Sequence, residues 1–317
     1  MDRQDITQAV AILKRGGLVA FPTETVYGLG ADAGNPAALR RLYEIKGRPA
    51  SHPVIVHLAD AAQLSQWARE APDSAHKLAA AFWPGPLTLI LKRAARVGDD
   101  ITGGQDTIGL RVPAHPVAHA LLAAFGGGIA APSANRFGRV SATTADHVHE
   151  EFGDSVDLVL DGGACEVGIE STIIDVSGER PALLRPGRIS KREIEQVLGA
   201  PLAAPRADSP RAPGTLPVHY APRTPVALVP AAALRAQVAD RLRRGQRVAV
   251  LARRVPPEVD GRLAWIAAPE TAVDYARGLY ANLRRLDHAQ CDVILVEQPP
   301  SSAEWAAVAD RLQRAAV

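Results

Sequence analysis

Lys46–His57 reads KGRPASHPVIVH. Two cations flank Gly47, Pro49 and Pro53 follow, and Val54–Leu58 is apolar with no alternation. A short run behind two prolines, apolar but for His57, reads as a buried strand. Upstream, Pro36 opens a helical pattern over Ala37–Ile45 that stops near Gly47. A helix, a tight turn and a fully buried strand form the repeating unit of an α/β fold.

The same texture continues in both directions. Towards the N-terminus, Ile6–Lys14 is helical, Gly16-Gly17 stops it, and Leu18–Phe21 is a short strand running into the loop PTETVYGLG. Towards the C-terminus, helical patterns fill Ala61–Arg69 and Ser74–Phe82. Strands fit Leu87–Leu91 and Ile108–Val112, then a helix Val117–Phe125 and a strand Ile129–Ala131. Leu158–Leu160, Ser171–Val176 and Ala182–Leu184 are further strands, and Ser190 caps a helix ending at Leu198. Ala200–Pro225 is rich in proline and lacks periodicity, which marks a linker. Beyond it, strands at Val226–Val229, Val248–Leu251, Leu263–Ile266 and Val293–Val296 alternate with helices at Ala231–Arg243, Thr271–Leu286 and Ala303–Ala315. This predicts a small parallel α/β domain over 226–317, after a first domain over 1–200 and a linker over 201–225.

Composition narrows the class. The chain has 317 residues, 47% hydrophobic and 22% charged, with a net charge of +2, so a nucleic acid is not expected as its main partner. Two cysteines, Cys165 and Cys291, exclude a disulfide framework and a cysteine-rich zinc site, and suit a cytoplasmic protein. No apolar run reaches ~18 residues and no signal peptide is expected. His147 and His149 are two apart on a predicted helix and point in different directions, so they read as surface residues. There is no GxGxxG after a strand, P-loop, HExxH or GxSxG.

Polar loops follow several strands instead. PTET follows the first strand, PSAN follows Ile129–Ala131, and GIESTIID passes Ser171 and Thr172 into another strand. Ligands of α/β folds bind at the carboxyl ends of strands, where hydroxyls and backbone N–H groups hold phosphates and carboxylates. Each loop alone also reads as an ordinary turn. Lys46 and Arg48 have two readings as well: cations favoured at a helix C-terminus, or a fork and a point charge set to hold a polyphosphate.

The stretches PTETVYGLGADA, KGRPASHPVIVH, FWPGPLTLIL, TIGLRVPAHP, APSANRFGRVS, GIESTIID and LLRPGRIS occur in that order over roughly Gly17–Gly199. Together they resemble the threonylcarbamoyl-AMP synthases with a YrdC-like catalytic domain. PGTLPVHYAP and the second α/β domain resemble the two-domain form of that family. The resemblance implies a YrdC-like twisted mixed sheet followed by a smaller Rossmann-like parallel α/β domain. It implies an adenylate made from L-threonine, bicarbonate and ATP with release of pyrophosphate. The threonylcarbamoyl group would pass through separate proteins, a downstream transferase complex, to the adenosine beside the anticodon of certain tRNAs.

It also implies roles. Lys46 and Arg48 would lie over the ATP phosphates with Ser133 and Asn135, while His52, Thr107, Ala131, Ser141 and Arg185 would complete the nucleotide contacts. Tyr220, in a linker strapped over the active site, would lie near the nucleotide. Thr25, His57, Arg111 and Ser171 would form the threonine pocket, with Arg111 against the carboxylate. Mg²⁺ would accompany ATP, held mainly by phosphate oxygens and water. No Ser–His–Asp set or activated Cys is visible, so no covalent enzyme intermediate is expected. Two alternatives remain: a related enzyme that forms a carbamoyl adenylate from carbamoyl phosphate, and a non-catalytic RNA-binding module. The first would bring acylphosphatase and zinc-finger segments, and the second a basic, aromatic-bearing surface.

Overall fold

The computed structural model describes residues 3–206, 208–255 and 261–316. The chain divides into two compact units. The first takes the chain as far as Phe137 and again from Ala142 to Thr215, and the second takes Gly138–Ser141 and the chain from Leu216 onward. The Pro-rich segment is thus shared, its residues up to Thr215 packing with the first unit.

Among the described residues, the first unit has one nine-stranded mixed sheet. In chain order the strands are β1 (Val19–Phe21), β2 (Gly28–Asp32), β3 (Ile55–His57), β4 (Leu87–Lys92), β5 (Thr107–Arg111), β6 (Ile129–Ala130), β7 (Leu158–Val159), β8 (Thr172–Asp175) and β9 (Ala182–Arg185). Their order across the sheet is β7-β1-β2-β6-β3-β5-β4-β8-β9. The pairs β1/β7, β3/β5 and β4/β8 are parallel and the rest antiparallel.

The pleat sorts side chains between the two faces. Ala20, Leu29, Val56, Leu89, Leu110, Ala130 and Ile174 point into the main core. There they meet Leu39 and Leu42 of the helix Pro36–Lys46, Leu78 of Asp73–Phe82, Val148 of Ala145–Phe152 and Ile194 of Lys191–Leu198. On the opposite face Val19, Phe21 and Ile129 pack under Ile12 and Leu13 of the helix Arg3–Lys14 and Leu121 and Leu122 of Pro116–Phe125. That cover stops at β6. From β3 to β9 the same face carries Ile55, Ile90 and Ile173, which pack with Ala212 of the Pro-rich segment. Half of one face is therefore left for polar side chains.

The opening stretch folds as a helix end. Asn35 caps the helix Pro36–Lys46 by accepting from the N–H groups of Ala37 and Ala38 at 3.0 and 3.2 Å. Gly47 closes it with φ 63°, a left-handed conformation that glycine adopts without penalty. The N–H groups of Gly47 and Arg48 donate back to the carbonyls of Glu44 and Tyr43.

Three local expectations are corrected. PTETVYGLG is not all loop, because its end forms β2. Gly28 and Gly30 weaken the strand signal, but crowding requires them: a Cβ on Gly30 would lie 2.8 Å from Phe21, 2.9 Å from Ile129 and 3.0 Å from the Val19 carbonyl. The helix expected over Ala61–Arg69 is a single 3₁₀ turn, Ala61–Gln63, and a short helix, Leu64–Trp67. It ends early because Arg69 N–H donates to the Lys92 carbonyl and Ala94 N–H to that of Trp67, which pulls Ala68 into an extended bridge with Arg93. His147 is half-buried, its Nδ1 lying 3.2 Å from the Thr143 N–H, while His149 is exposed.

The second unit carries four parallel strands, β10 (Val226–Val229), β11 (Val248–Ala252), β12 (Leu263–Ala267) and β13 (Val293–Glu297), ordered β10-β13-β11-β12. Helices Leu234–Arg243, Ala272–Asp287 and Ala306–Ala315 accompany them. No helix among the described residues is long and apolar enough to cross a membrane.

Gly30→Ala should destabilise the protein by roughly 1–3 kcal/mol, because Phe21 and Ile129 must leave their packed positions and the Val19 carbonyl cannot. Urea denaturation measures this, and unchanged stability would refute the close-packing account of β2.

Candidate functional site

The uncovered half of the sheet gathers Thr25, His57, Arg111, Ser171 and Arg185 from among the residues singled out from sequence. His57 and Arg111 are register partners at the ends of the parallel strands β3 and β5. Both are at least nine-tenths buried. The Arg111 guanidinium is held by three groups. Nη1 donates to Thr25 Oγ1 at 2.9 Å, Nε donates to the Gly85 carbonyl at 3.2 Å, and Nη2 lies 2.6 Å from Glu24 Oε1. Thr25 is placed by the PTET turn, where Thr23 Oγ1 donates to the Val26 carbonyl at 2.6 Å and lies 2.8 Å from Thr25 Oγ1. Arg111 lies on an interior strand and its partner is a buried carboxylate.

Burial and the neighbouring Arg111 push the His57 imidazole down to about 3, against the opposing pull of the Ile55 and Ile129 backbone. His57 is a neutral imidazole with its ring edge-on to Phe21, 6.1 Å between centroids. Cys165, also buried near Glu24 and Arg111, is pushed up to about 12 and stays a thiol. Ser171 Oγ lies 2.8 Å from Thr88 Oγ1 and accepts from Arg185 Nη2 at 3.2 Å. Arg185 Nη2 also donates to the Ser171 carbonyl at 2.9 Å, and Nη1 donates to the Pro213 carbonyl at 2.8 Å. Thus Arg185 links the Ser171 turn to the Pro-rich segment.

A second cluster forms around KGRP and PSAN. Lys46 points inward from the last turn of its helix, almost fully buried. Its Nζ donates to the carbonyl of Ser133 at 2.6 Å and to that of Asn135. An ammonium has three donors, so one N–H is left by these two bonds. Burial, and then the Arg48 charge, hold Lys46 well below the usual lysine range, with Glu151 opposing. Arg48 Nη2 donates to the Pro53 carbonyl at 2.6 Å. Phe137 sits between the basic groups: the Arg48 guanidinium lies 5.7 Å from its ring centre, and the His52 ring meets it edge-on at 5.2 Å. Burial, Arg48 and Arg211 lower the His52 pKa. Phe137 N–H donates to the Lys46 carbonyl at 2.8 Å, and Asn135 Nδ2 to the Arg136 carbonyl at 2.8 Å.

The remaining candidates scatter. Ala131 offers backbone only, and its N–H is taken by the Ile55 carbonyl at 3.0 Å. Thr107 opens β5 and lines a narrow cleft with Ile55, Ile90, Gly109, Arg211 and Pro213. Ser141 and Tyr220 fall in the second unit. There Tyr220, at φ 62°, stacks on Tyr280 at 5.6 Å under the Arg311 guanidinium at 5.3 Å. Ser141 is fully buried, and its carbonyl accepts from Arg284 Nε at 3.5 Å.

Sequence reasoning passed over Glu24, Thr88 and Phe137. All three stand inside the quoted motifs, but nothing local separates a buried Glu in PTET from a solvated one. Among the described residues, no three His, Cys, Asp or Glu side chains converge as a metal site.

The chain is similar to known proteins over nearly its whole length. A family model described as "Telomere recombination" matches residues 11–187, and another described as "Threonylcarbamoyl-AMP synthase, C-terminal domain" matches 189–317. The threonylcarbamoyl-AMP synthase of Pyrococcus abyssi is 40% identical over 97% of this chain and 92% of its own. That of Bacillus subtilis is 40% identical over 98% and 92%. A crystal structure of P. abyssi Sua5 complexed with L-threonine matches with a TM-score of 0.91 and 38% identity, covering 99% of this chain and 95% of that one. The chain, with its mixed sheet and its separate parallel sheet, belongs to the threonylcarbamoyl-AMP synthase family in its two-domain form.

Proposed function

We propose that the chain is an L-threonylcarbamoyladenylate synthase, a cytoplasmic nucleotidyltransferase that joins L-threonine, bicarbonate and ATP and releases pyrophosphate. Its adenylate would feed modification of tRNA beside the anticodon through a downstream transferase complex. The observation that carries the reading is the buried, preset Arg111. A guanidinium has five N–H donors and the three contacts to Thr25, Gly85 and Glu24 leave N–H groups for an incoming carboxylate. A hydrogen bond to a charged group of this kind contributes about 1.5–3 kcal/mol. His57, Thr25 and Ser171 offer neutral groups for the side-chain hydroxyl.

The basic cluster supports the nucleotide half of the reading. Pro53, whose carbonyl Arg48 meets, stands four residues before His57, so that contact lies within roughly 13 Å of the amino-acid pocket along the chain. That separation suits an amino acid and a triphosphate lying along the same strand. The third donor of Lys46 and the charge of Arg48 would meet phosphate oxygens, and an anion there would draw the lowered Lys46 pKa back up. The threonine amine takes up carbon dioxide from bicarbonate to form a carbamate. The carbamate oxygen attacks the α-phosphorus, the bond to the β-phosphate oxygen breaks, and pyrophosphate leaves. The protein's part is positioning and charge stabilisation. Mg²⁺ would arrive on the triphosphate with water and phosphate oxygens as ligands, which fits a site whose described residues bring no acidic cluster.

Incubation with ATP, bicarbonate and an amino acid tests the reading. Pyrophosphate release should require threonine. Serine should lose roughly 10–200-fold, whereas valine, which leaves the pocket's polar groups unpaired, should lose on the order of 10⁴-fold. Threonine-independent release would count against the proposal, and equal rates with serine and valine would sink the pocket assignment. Arg48→Ala should lower turnover about 10²-fold while costing only about 1–3 kcal/mol of stability for the bond to Pro53. Normal turnover with reduced stability would return Arg48 to a helix-end role.

His57 gives a pH signature. Its folded-state value of about 3 lies below its ordinary 6.5, so between those values the unfolded chain binds a proton that the folded chain does not. Stability should fall as pH drops through this window, with a contribution approaching about 1.4 kcal/mol per pH unit. His57→Asn should show a shallower acid limb in denaturation curves, and identical limbs would contradict the buried neutral assignment.

A further inference from the structure

The PTET turn carries a charge that the proposed chemistry does not use. Glu24 is buried, with Oε1 lying 2.6 Å from Arg111 Nη2 and Oε2 accepting from Ala114 N–H at 3.1 Å. The bond from Ala114 places the carboxylate beside the guanidinium. A buried ion pair adds little net stability, because desolvating two charges offsets their attraction. Its presence at the amino-acid end of the site calls for another reason.

We propose that Glu24 is a specificity-determining residue: by cancelling the charge of Arg111 it restricts the pocket to ligands that bring a positive charge with their carboxylate, that is, to free amino acids and not simple carboxylic acids. The inference rests on reading Arg111 as the carboxylate site. In a poorly solvated pocket a lone guanidinium would attract any carboxylate strongly. With Glu24 2.6 Å away, an incoming monoanion meets attraction and repulsion of similar size at close range. An ammonium on the ligand tips that balance, because it is drawn to Glu24 while the carboxylate takes the remaining N–H groups of Arg111. The neighbours leave the pair to decide: His57 is a neutral imidazole and Cys165 a neutral thiol. The next cation on this face, Arg185, is engaged with Ser171 and Pro213. Selectivity of this kind is built against the wrong ligand as much as for the right one.

The test compares threonine with 3-hydroxybutyrate, the same skeleton without its amino group, by titration calorimetry on the full chain. The wild-type protein should bind threonine at least about 100-fold more tightly. In Glu24→Gln, which keeps the bond to Ala114 but not the charge, this ratio should fall at least about tenfold. If both ligands weaken in parallel and the ratio stays unchanged, Glu24 merely holds Arg111 and the proposal is overturned. If the variant does not fold, the wild-type protein still decides, because comparable affinities for the two ligands would overturn the proposal, as would failure of threonine to bind. Threonine-dependent pyrophosphate release by the wild-type protein separates the two readings. Release with an unchanged ratio sinks only the role of Glu24, and absence of release sinks the functional reading.

Discussion

The pleat of the central strands is the constraint from which the site follows. In β3 and β5, Val56 and Leu110 are committed to the main core, so their neighbours Ile55, His57, Gly109 and Arg111 must emerge on the other face. Over β1, β2 and β6 that other face is sealed by two helices. Over β3, β5, β4 and β8 its isoleucines pack with Ala212 of the Pro-rich segment. A face with no helix on it can hold polar side chains without breaking an apolar core. The chain uses the space for Arg111, His57 and the hydroxyls of Thr25, Thr88 and Ser171, all of them buried.

Charges placed there carry a desolvation cost, and the structure shows how each is met. Arg111 is matched by Glu24 and by two neutral acceptors. Lys46 is met by the carbonyls of Ser133 and Asn135 and has its pKa lowered by burial. Arg48 donates to the Pro53 carbonyl. Each is fixed by backbone or by a short side chain before any ligand arrives, which is the preorganisation that electrostatic catalysis requires. The helix-end reading of KGR and the anion-site reading prove compatible. Gly47 stops the helix, and that same stop turns Lys46 inward and sends Arg48 towards Pro53.

Much of this was legible in the residues. The alternation of helices and apolar runs gave the α/β class, and the parallel second unit follows from its four buried strands. The family resemblance implied Thr25, His57, Arg111 and Ser171 as one pocket, and the structure brings Thr25 and Arg111 to 2.9 Å. What escaped has physical reasons. β2 was hidden because Gly28 and Gly30 carry no strand signal, and the need for Gly30 arises from the bulk of Phe21 and Ile129, distant in sequence from one another. The helix after Ala61 was cut short by pairing with Lys92 and Ala94, a contact no local window contains.

The sequence by itself determined which segments alternate, where glycine and proline end them, and which polar loops follow strands, because these depend on side-chain period and backbone freedom within a few residues. Only the tertiary structure decided that Glu24 faces Arg111 across 86 intervening positions of chain, that Phe137 lies between Arg48 and His52, and that Ser141 and Tyr220 pack in the second unit. A carboxylate in a turn looks the same whether it is solvated or buried. Its role is fixed by what the folded sheet sets against it.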